Sequence, residues 1–224
     1  MTKRRGLGLF FALTFGLTWG IGALYGLAPG WVTSVFGPVS LTNPLAFAAV
    51  WSPTLSAIAV TLALRGPRGL AALLGAVLRW RVGWRWYALA VGVPALTGVL
   101  AGLTGTALGA PPLPVLDVAR WPMLLAAAAA HLLLDPGPLG EELGWRGFAL
   151  PRMLAGSHPV RAGVVLGLIW ALWHLPAFLI PGRPQAKLPI APFVVSIVAV
   201  SVLMTWIYVN TAGSVLMTVL VHWA

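Results

Sequence analysis

Two glutamates stand side by side, Glu141 and Glu142, in a chain of 224 residues that holds only four acidic ones. The sequence around them reads Gly140-Glu141-Glu142-Leu143-Gly144-Trp145-Arg146-Gly147. Taking a charge out of water is costly, and an ionisable residue in or near a membrane-spanning segment is by default a functional candidate. On a helix, Glu142 and Arg146 are four apart, share a face and can pair, which makes a structural ion pair the expected role for both. Glu141 lies about 100° around the helix and has Trp145, not a cation, at its i+4 position. One carboxylate is therefore expected to be held locally and the other to be available for chemistry.

Few other polar groups accompany them. His174 falls deep within an apolar run, in Trp170-Ala171-Leu172-Trp173-His174-Leu175-Pro176, and His222 falls in the last apolar stretch. A carboxylate in a low-dielectric site is a better proton acceptor than one in water and can act as general base towards a water molecule. Histidines can donate hydrogen bonds to a developing oxyanion or can bind a metal. A lone membrane histidine is also often a helix–helix hydrogen bonder. His131 and Asp135, four apart, are expected to satisfy each other as a structural pair. His158, beside Pro159, reads as a solvated loop residue, and the tryptophans as interfacial anchors.

The elements that carry these residues are apolar helices. Hydrophobic residues make up 59% of the chain and charged residues 8%, with a mean hydropathy of +0.93. A soluble domain carries about 25% charged residues, so the composition excludes one. Apolar runs of about 20 residues recur, which predicts an all-α, polytopic transmembrane helical bundle; a barrel would show shorter alternating segments. The expected spans are 7–28, 44–64 (kinked at Pro53), 87–109, 121–139, 160–180, 190–209 and 212 onward, about seven, with an eighth expected in a longer chain. Residues 29–43 and 110–120 are expected to be loops. The stretch 65–86, with five arginines among Leu, Val, Trp and Tyr87, reads as a basic amphipathic segment lying in the headgroup plane. The whole of 1–224 reads as a single transmembrane domain, with 139–224 bearing the motifs.

The formal charge is +10 and cysteine is absent. The basic residues sit between apolar runs, so they read as topology determinants and contacts to anionic membrane lipids, not as a nucleic-acid surface. Without cysteine there is no disulfide framework, thiol nucleophile or thiolate metal site. If the N-terminus is cytoplasmic, the inner segments collect eleven of the fourteen basic residues, and the outer loops collect Arg120, Arg183 and Lys187. That asymmetry predicts a multi-pass cell-membrane protein with its N-terminus inside. It also predicts chemistry close to the cytoplasmic side, with Glu141 near the inner end of the fourth span. His174 then sits nearer the outer end of the fifth, unless Pro136, Gly137 and Pro138 break the fourth helix or the fifth starts lower. Ala, Gly, Pro, Arg and Trp usage hints at a GC-rich bacterial source.

The motifs resemble those of the CPBP family of membrane-embedded proteases, which includes type 2 CAAX prenyl endopeptidases and bacteriocin-processing or immunity proteins. Glu141-Glu142-x-x-x-Arg146 fits the family's EExxxR. Trp170-x-x-x-His174 fits its second motif, usually FxxxH, with a tryptophan change expected to affect packing only. The stretch ending in His222 resembles the last motif, HxxxN or HxxxD. The position four beyond that histidine would be 226, past Ala224, so either the chain continues or the last site residue is lacking. The resemblance covers about 139–224.

By this resemblance, Glu141 activates a water with help from His174, His222 supports the oxyanion, and Glu142 with Arg146 holds the geometry. The substrate is then a peptide or protein, membrane-associated or not. The site residues favour a glutamate-dependent reaction without a cofactor. In a zinc-dependent alternative Glu141, His174 and His222 would be the ligands, leaving Glu141 as ligand or base but not both. The competing readings are a proton-coupled carrier, against which stand the lack of an internal repeat and the few spans, and a catalytically inactive immunity or assembly protein. Oligomeric state is not legible.

Overall fold

The computed structural model describes residues 6–40, 43–112 and 118–224. Lys3, Arg4 and Arg5 of the basic head, and part of the loop expected at 110–120, lie outside the described residues. The described chain is helical throughout: α1 (Leu7–Leu27), α2 (Pro29–Phe36), α3 (Pro44–Gly75), α4 (Trp84–Ala107), α5 (Trp121–Leu134), α6 (Pro136–Glu142), a π-helical segment (Leu143–Ala149), α7 (Leu150–Leu154), α8 (Pro159–Trp173), α9 (Leu175–Leu179), α10 (Ile190–Asn210) and α11 (Val215–Trp223). Six helical stretches are long and apolar enough to cross a membrane, and the protein is a multi-pass helical bundle. The last apolar stretch forms the nine-residue α11.

Three local expectations are corrected. Residues 29–36 form α2 and not a loop: Pro29 starts it, Val32 buries, and Gly37, at φ 80°, ends it. The second span, expected to end at 64, runs on as helix to Gly75 through a break at Gly66 (φ 63°, ψ −164°). Only glycine adopts that backbone cheaply. Pro53 cannot donate to the carbonyl of Ala49, but the Thr18 hydroxyl donates to that oxygen at 3.0 Å, so the helix continues. The fourth span, expected continuous to 139, breaks at Asp135, which leaves the helical region at ψ 115° and caps α6 by accepting from the Gly137 N–H at 2.8 Å.

The core is formed where α1, α3, the π-helical segment, α8, α10 and α11 meet, around Phe10, Trp145, Phe148, Leu166, Trp170, Trp173 and Met204. Helices come close where side chains are small, as membrane bundles require. A Cβ on Gly167 would sit 2.8 Å from the Val198 Cα, and Ser201 Oγ of α10 donates to the Gly163 carbonyl of α8 at 2.8 Å. By contrast, Ala90 alone is buried along α4, and the described side chains of α5 are largely exposed, as for lipid-facing helices. The start of α11 is pinned by Ser214 Oγ donating to the Arg79 carbonyl at 2.7 Å and by the Val215 N–H to Ala76 carbonyl bond at 3.0 Å.

Gly144 is the closest approach that matters for the acidic motif. A Cβ there would stand 2.5 Å from both Cβ and the carbonyl oxygen of Pro53 on α3. Gly144→Ala is therefore expected to destabilise the bundle by about 1–3 kcal/mol, seen as a lower unfolding midpoint in detergent. Gly98→Ala, where nothing lies within 4 Å, should leave the midpoint unchanged or slightly raised.

Candidate active site

The segment 136–149 is apolar except for Glu141, Glu142 and Arg146, and it is buried against α3, α8 and α11. Its π-helical portion, Leu143–Ala149, is the widened helix type that occurs mostly as short insertions at functional sites. Glu142 and Arg146, both fully buried, pair as their spacing predicts: Arg146 Nη1 donates to Glu142 Oε1 at 2.7 Å. The same oxygen lies 2.9 Å from His222 Nδ1 of α11. An ionised carboxylate only accepts, so His222 Nδ1 carries the proton.

Glu141, 5% exposed, is held by a group whose part was read as packing only. The Trp170 indole Nε1 donates to Glu141 Oε2 at 2.7 Å. The expectation that the aromatic change alters packing alone is thus corrected, because phenylalanine has no N–H to give. Trp170 also meets the rest of the site. The Arg146 guanidinium carbon lies 4.4 Å from the centre of its ring, the His222 ring stands edge-on at 5.3 Å, and the Trp170 carbonyl lies 2.8 Å from His174 Nδ1. A carbonyl only accepts, so His174 Nδ1 is also the protonated nitrogen, and a neutral His174 presents the bare lone pair of Nε2.

The three side chains put forward as catalytic come together. Glu141, His174 and His222 line one cavity of about 210 Å³, with Asp135, Arg183, Gln185 and Ser40 also in its wall. A second cavity, about 100 Å³, reaches Glu141 and His174 from α1 and α3, past Thr18, Gly22 and Ala49. Beneath it, Thr18 Oγ1 accepts from Trp173 Nε1 at 2.8 Å and is hydrogen-bonded to Ser52 Oγ. This fixes α8 one residue before His174. The depth conflict is relieved by the break at Asp135, and by α8 ending at Trp173, so that His174 sits at a helix end before Pro176.

Arg183, Gln185 and Asp135 were not singled out for this site, because the contacts that bring 181–187 over it span distant parts of the chain. His131 and Asp135 pair at 3.4 Å as their spacing predicts, and Asp135 faces the cavity as well. His158, expected to be only solvated, accepts from the Val160 N–H at 3.4 Å as the N-cap of α8. Among the described residues no three His, Asp or Glu side chains gather closely enough to hold a metal ion. Glu141, His174 and His222 share the cavity without converging on one coordination point, so no step below passes through zinc.

The cavity lies at the end of the bundle marked by Ser40, Ala46, Arg183 and Gln185. Arg65 and Arg152 lie together at the other end. An inside N-terminus and chemistry near the cytoplasmic side are therefore incompatible expectations, since the charge asymmetry that puts Arg65 and Arg152 inside puts this cavity towards the outer end.

Sequence comparison agrees with the motifs. Residues 121–224 match the family model described as type II CAAX prenyl endopeptidase Rce1-like. The resemblance to CPBP proteases is borne out. The CAAX prenyl protease 2 of Methanococcus maripaludis is 26% identical over 88 residues, which is 37% of this chain and 32% of that protein. The chain thus aligns with about a third of the length of this curated relative. The stretch matching the family model contains Glu141, Glu142, Arg146, His174 and His222.

Removing the guanidinium would leave the fully buried Glu142 with only His222. Arg146→Met is expected to cost about 3–5 kcal/mol of stability. Trp170→Phe, which removes one hydrogen bond to a carboxylate, is expected to cost about 1.5–3 kcal/mol. Denaturation in detergent, comparing the two variants with the unaltered chain, checks both the order and the sizes.

Proposed function

We propose that this protein is an intramembrane endopeptidase that hydrolyses a peptide bond with a water activated by Glu141. The observation that carries the reading is the common cavity: a buried carboxylate and two imidazole rings lining one space within an apolar bundle. A water there can donate one hydrogen to Glu141 and the other to the His174 Nε2 lone pair, which leaves its oxygen lone pair for the carbonyl carbon of the peptide.

In the first step the water oxygen bonds to that carbon and its proton moves to Glu141, giving a tetrahedral oxyanion. In the second, protonated Glu141 returns the proton to the peptide nitrogen, the C–N bond breaks, and an amine and a carboxylic acid leave. The oxyanion needs a donor. Glu141, Glu142 and Arg146 carry one unmatched negative charge between them. A His222 imidazolium, anchored through Nδ1 to Glu142, brings the sum to zero and offers its Nε2–H to the oxyanion. Trp170 and Arg146 are positioning residues in this scheme.

The relative's name as a CAAX prenyl protease makes prenylated and unprenylated CAAX-type peptides the first pair of substrates to try. The proposed setting is the cell membrane with the N-terminus cytoplasmic and the segment 65–86 in the headgroup plane. Reconstituted in vesicles, Glu141→Gln is expected to lower the cleavage rate by about 10²–10⁴, and His174→Ala to lower it strongly as well. Flux of protons or a solute that depends on the same two residues would favour a carrier. A cellular phenotype that survives both substitutions would favour an inactive partner protein.

Orientation is checked separately. In this cysteine-free chain, single cysteines at the exposed positions Ser34 and Ala155 are expected to react with impermeant thiol reagents from opposite sides, Ser34→Cys from outside. Labelling of Ser34→Cys only after the membrane is opened would reverse the orientation.

A further inference from the structure

At the end of the bundle remote from Glu141 lies a cavity of about 220 Å³ lined by Thr61, Arg65, Gly69, Gly147, Pro151 and Arg152. Val50 lines the catalytic cavity and Thr61 this one, and the stretch of α3 from one to the other amounts to about 16 Å of rise. Two guanidinium groups face this space with no carboxylate in its wall. Among the described residues none of the ion pairs reaches Arg65 or Arg152.

Two of the three donors, Arg152 and Thr61, are buried and in part unused. Arg152 is 8% exposed; its guanidinium lies over the Phe148 ring, 3.4 Å from the centre, and its Nη1 donates to the Phe148 carbonyl at 2.6 Å, while its Nε, also buried, has no hydrogen-bond partner. Thr61 is 3% exposed and its Oγ1 has none either. Gly69 keeps the space open, since a side chain there would run into Arg65 and meet Thr61 Cγ2 at 3.2 Å. Like charges gathered around unpaired buried donors call for an anion with several acceptor oxygens, and guanidinium and hydroxyl donors suit a phosphate group.

We propose that this cavity binds a phosphate group, carried by the headgroup of an anionic phospholipid or as free phosphate. The arginine-rich end of the bundle is the one that the positive-inside rule turns to the anionic cytoplasmic leaflet. A group bound here would link 61–72 of α3, beside the break at Gly66, to Gly147 and Pro151, which continue the segment carrying Glu142 and Arg146. The proposal does not depend on the peptidase reading.

The test uses the full chain in a neutral detergent, with retained ligand measured by native mass spectrometry and equilibrium dialysis. Three probes are compared: phosphatidylglycerol, phosphatidylcholine and inorganic phosphate. Phosphatidylglycerol is expected to bind in preference to phosphatidylcholine, with affinity falling about fivefold in Arg65→Gln and also falling in Thr61→Val. Arg81→Gln, outside the cavity, should leave it unchanged. Arg65 is exposed, so its variant should fold even if a change at Arg152 does not. Competition by inorganic phosphate identifies free phosphate as a ligand, and binding of the lipid without such competition identifies the headgroup. Binding of neither anion, an unchanged affinity in Arg65→Gln, or an equal loss in Arg81→Gln overturns the proposal.

Discussion

Placing two adjacent carboxylates inside an apolar bundle imposes a condition on every helix around them. A buried charge is tolerated only when an opposite charge or hydrogen-bond donors stand beside it. Adjacent residues on a helix point in different directions, so the two carboxylates need partners from different places. Glu142 finds Arg146 one turn on and His222 from α11. Glu141 finds Trp170 from α8. The docking of α8 and α11 on the motif segment is therefore a matter of electrostatics as much as of apolar packing. The short α11 holds its place through this contact and through the bonds that fix its first turn to 76–79.

Trp170 shows how one side chain can serve several needs at once. Its ring faces the Arg146 guanidinium, its N–H meets the Glu141 carboxylate, and its carbonyl sets the tautomer of His174 one turn later. Displacing α8 by one residue would break the first two of these contacts together. Bonds elsewhere hold that register: Trp173 Nε1 donates to Thr18 on α1, and Gly163 and Gly167 admit α10 to close contact. The rigidity that a preorganised site requires is thus spread over α1, α3, α8 and α10.

Much of this was legible in the sequence because membrane burial simplifies the code. Helical spans follow from run length, and the pairing of Glu142 with Arg146 follows from i,i+4 spacing. The same spacing carried the His131–Asp135 pair. Exceptions arose where a distant group satisfied a local need. At Pro53 the hydroxyl of Thr18, 35 residues earlier in sequence, satisfies the carbonyl that the proline leaves free. The role of Trp170 was visible in principle, since an indole N–H four residues before a site histidine is a donor that phenylalanine lacks. Its target, 29 residues away on another helix, was not. Arg183 and Gln185 belong to the cavity wall only because α9 and the following turn fold over it.

The two imidazoles are equivalent in the sequence and are made unequal by what each Nδ1 touches. His174 Nδ1 donates to a neutral backbone carbonyl, which orients the ring and leaves Nε2 as the acceptor of the neutral imidazole. His222 Nδ1 lies against the Glu142 carboxylate, so its ring is tied to a charged group. In the proposed reaction an acceptor is wanted where the nucleophile forms and a donor where the oxyanion forms. In that scheme, exchanging the Nδ1 partners of the two histidines would place the carboxylate behind the ring that faces the nucleophile. Division of labour in this site therefore comes from second contacts, one to a backbone carbonyl and one to a carboxylate that is itself held by arginine.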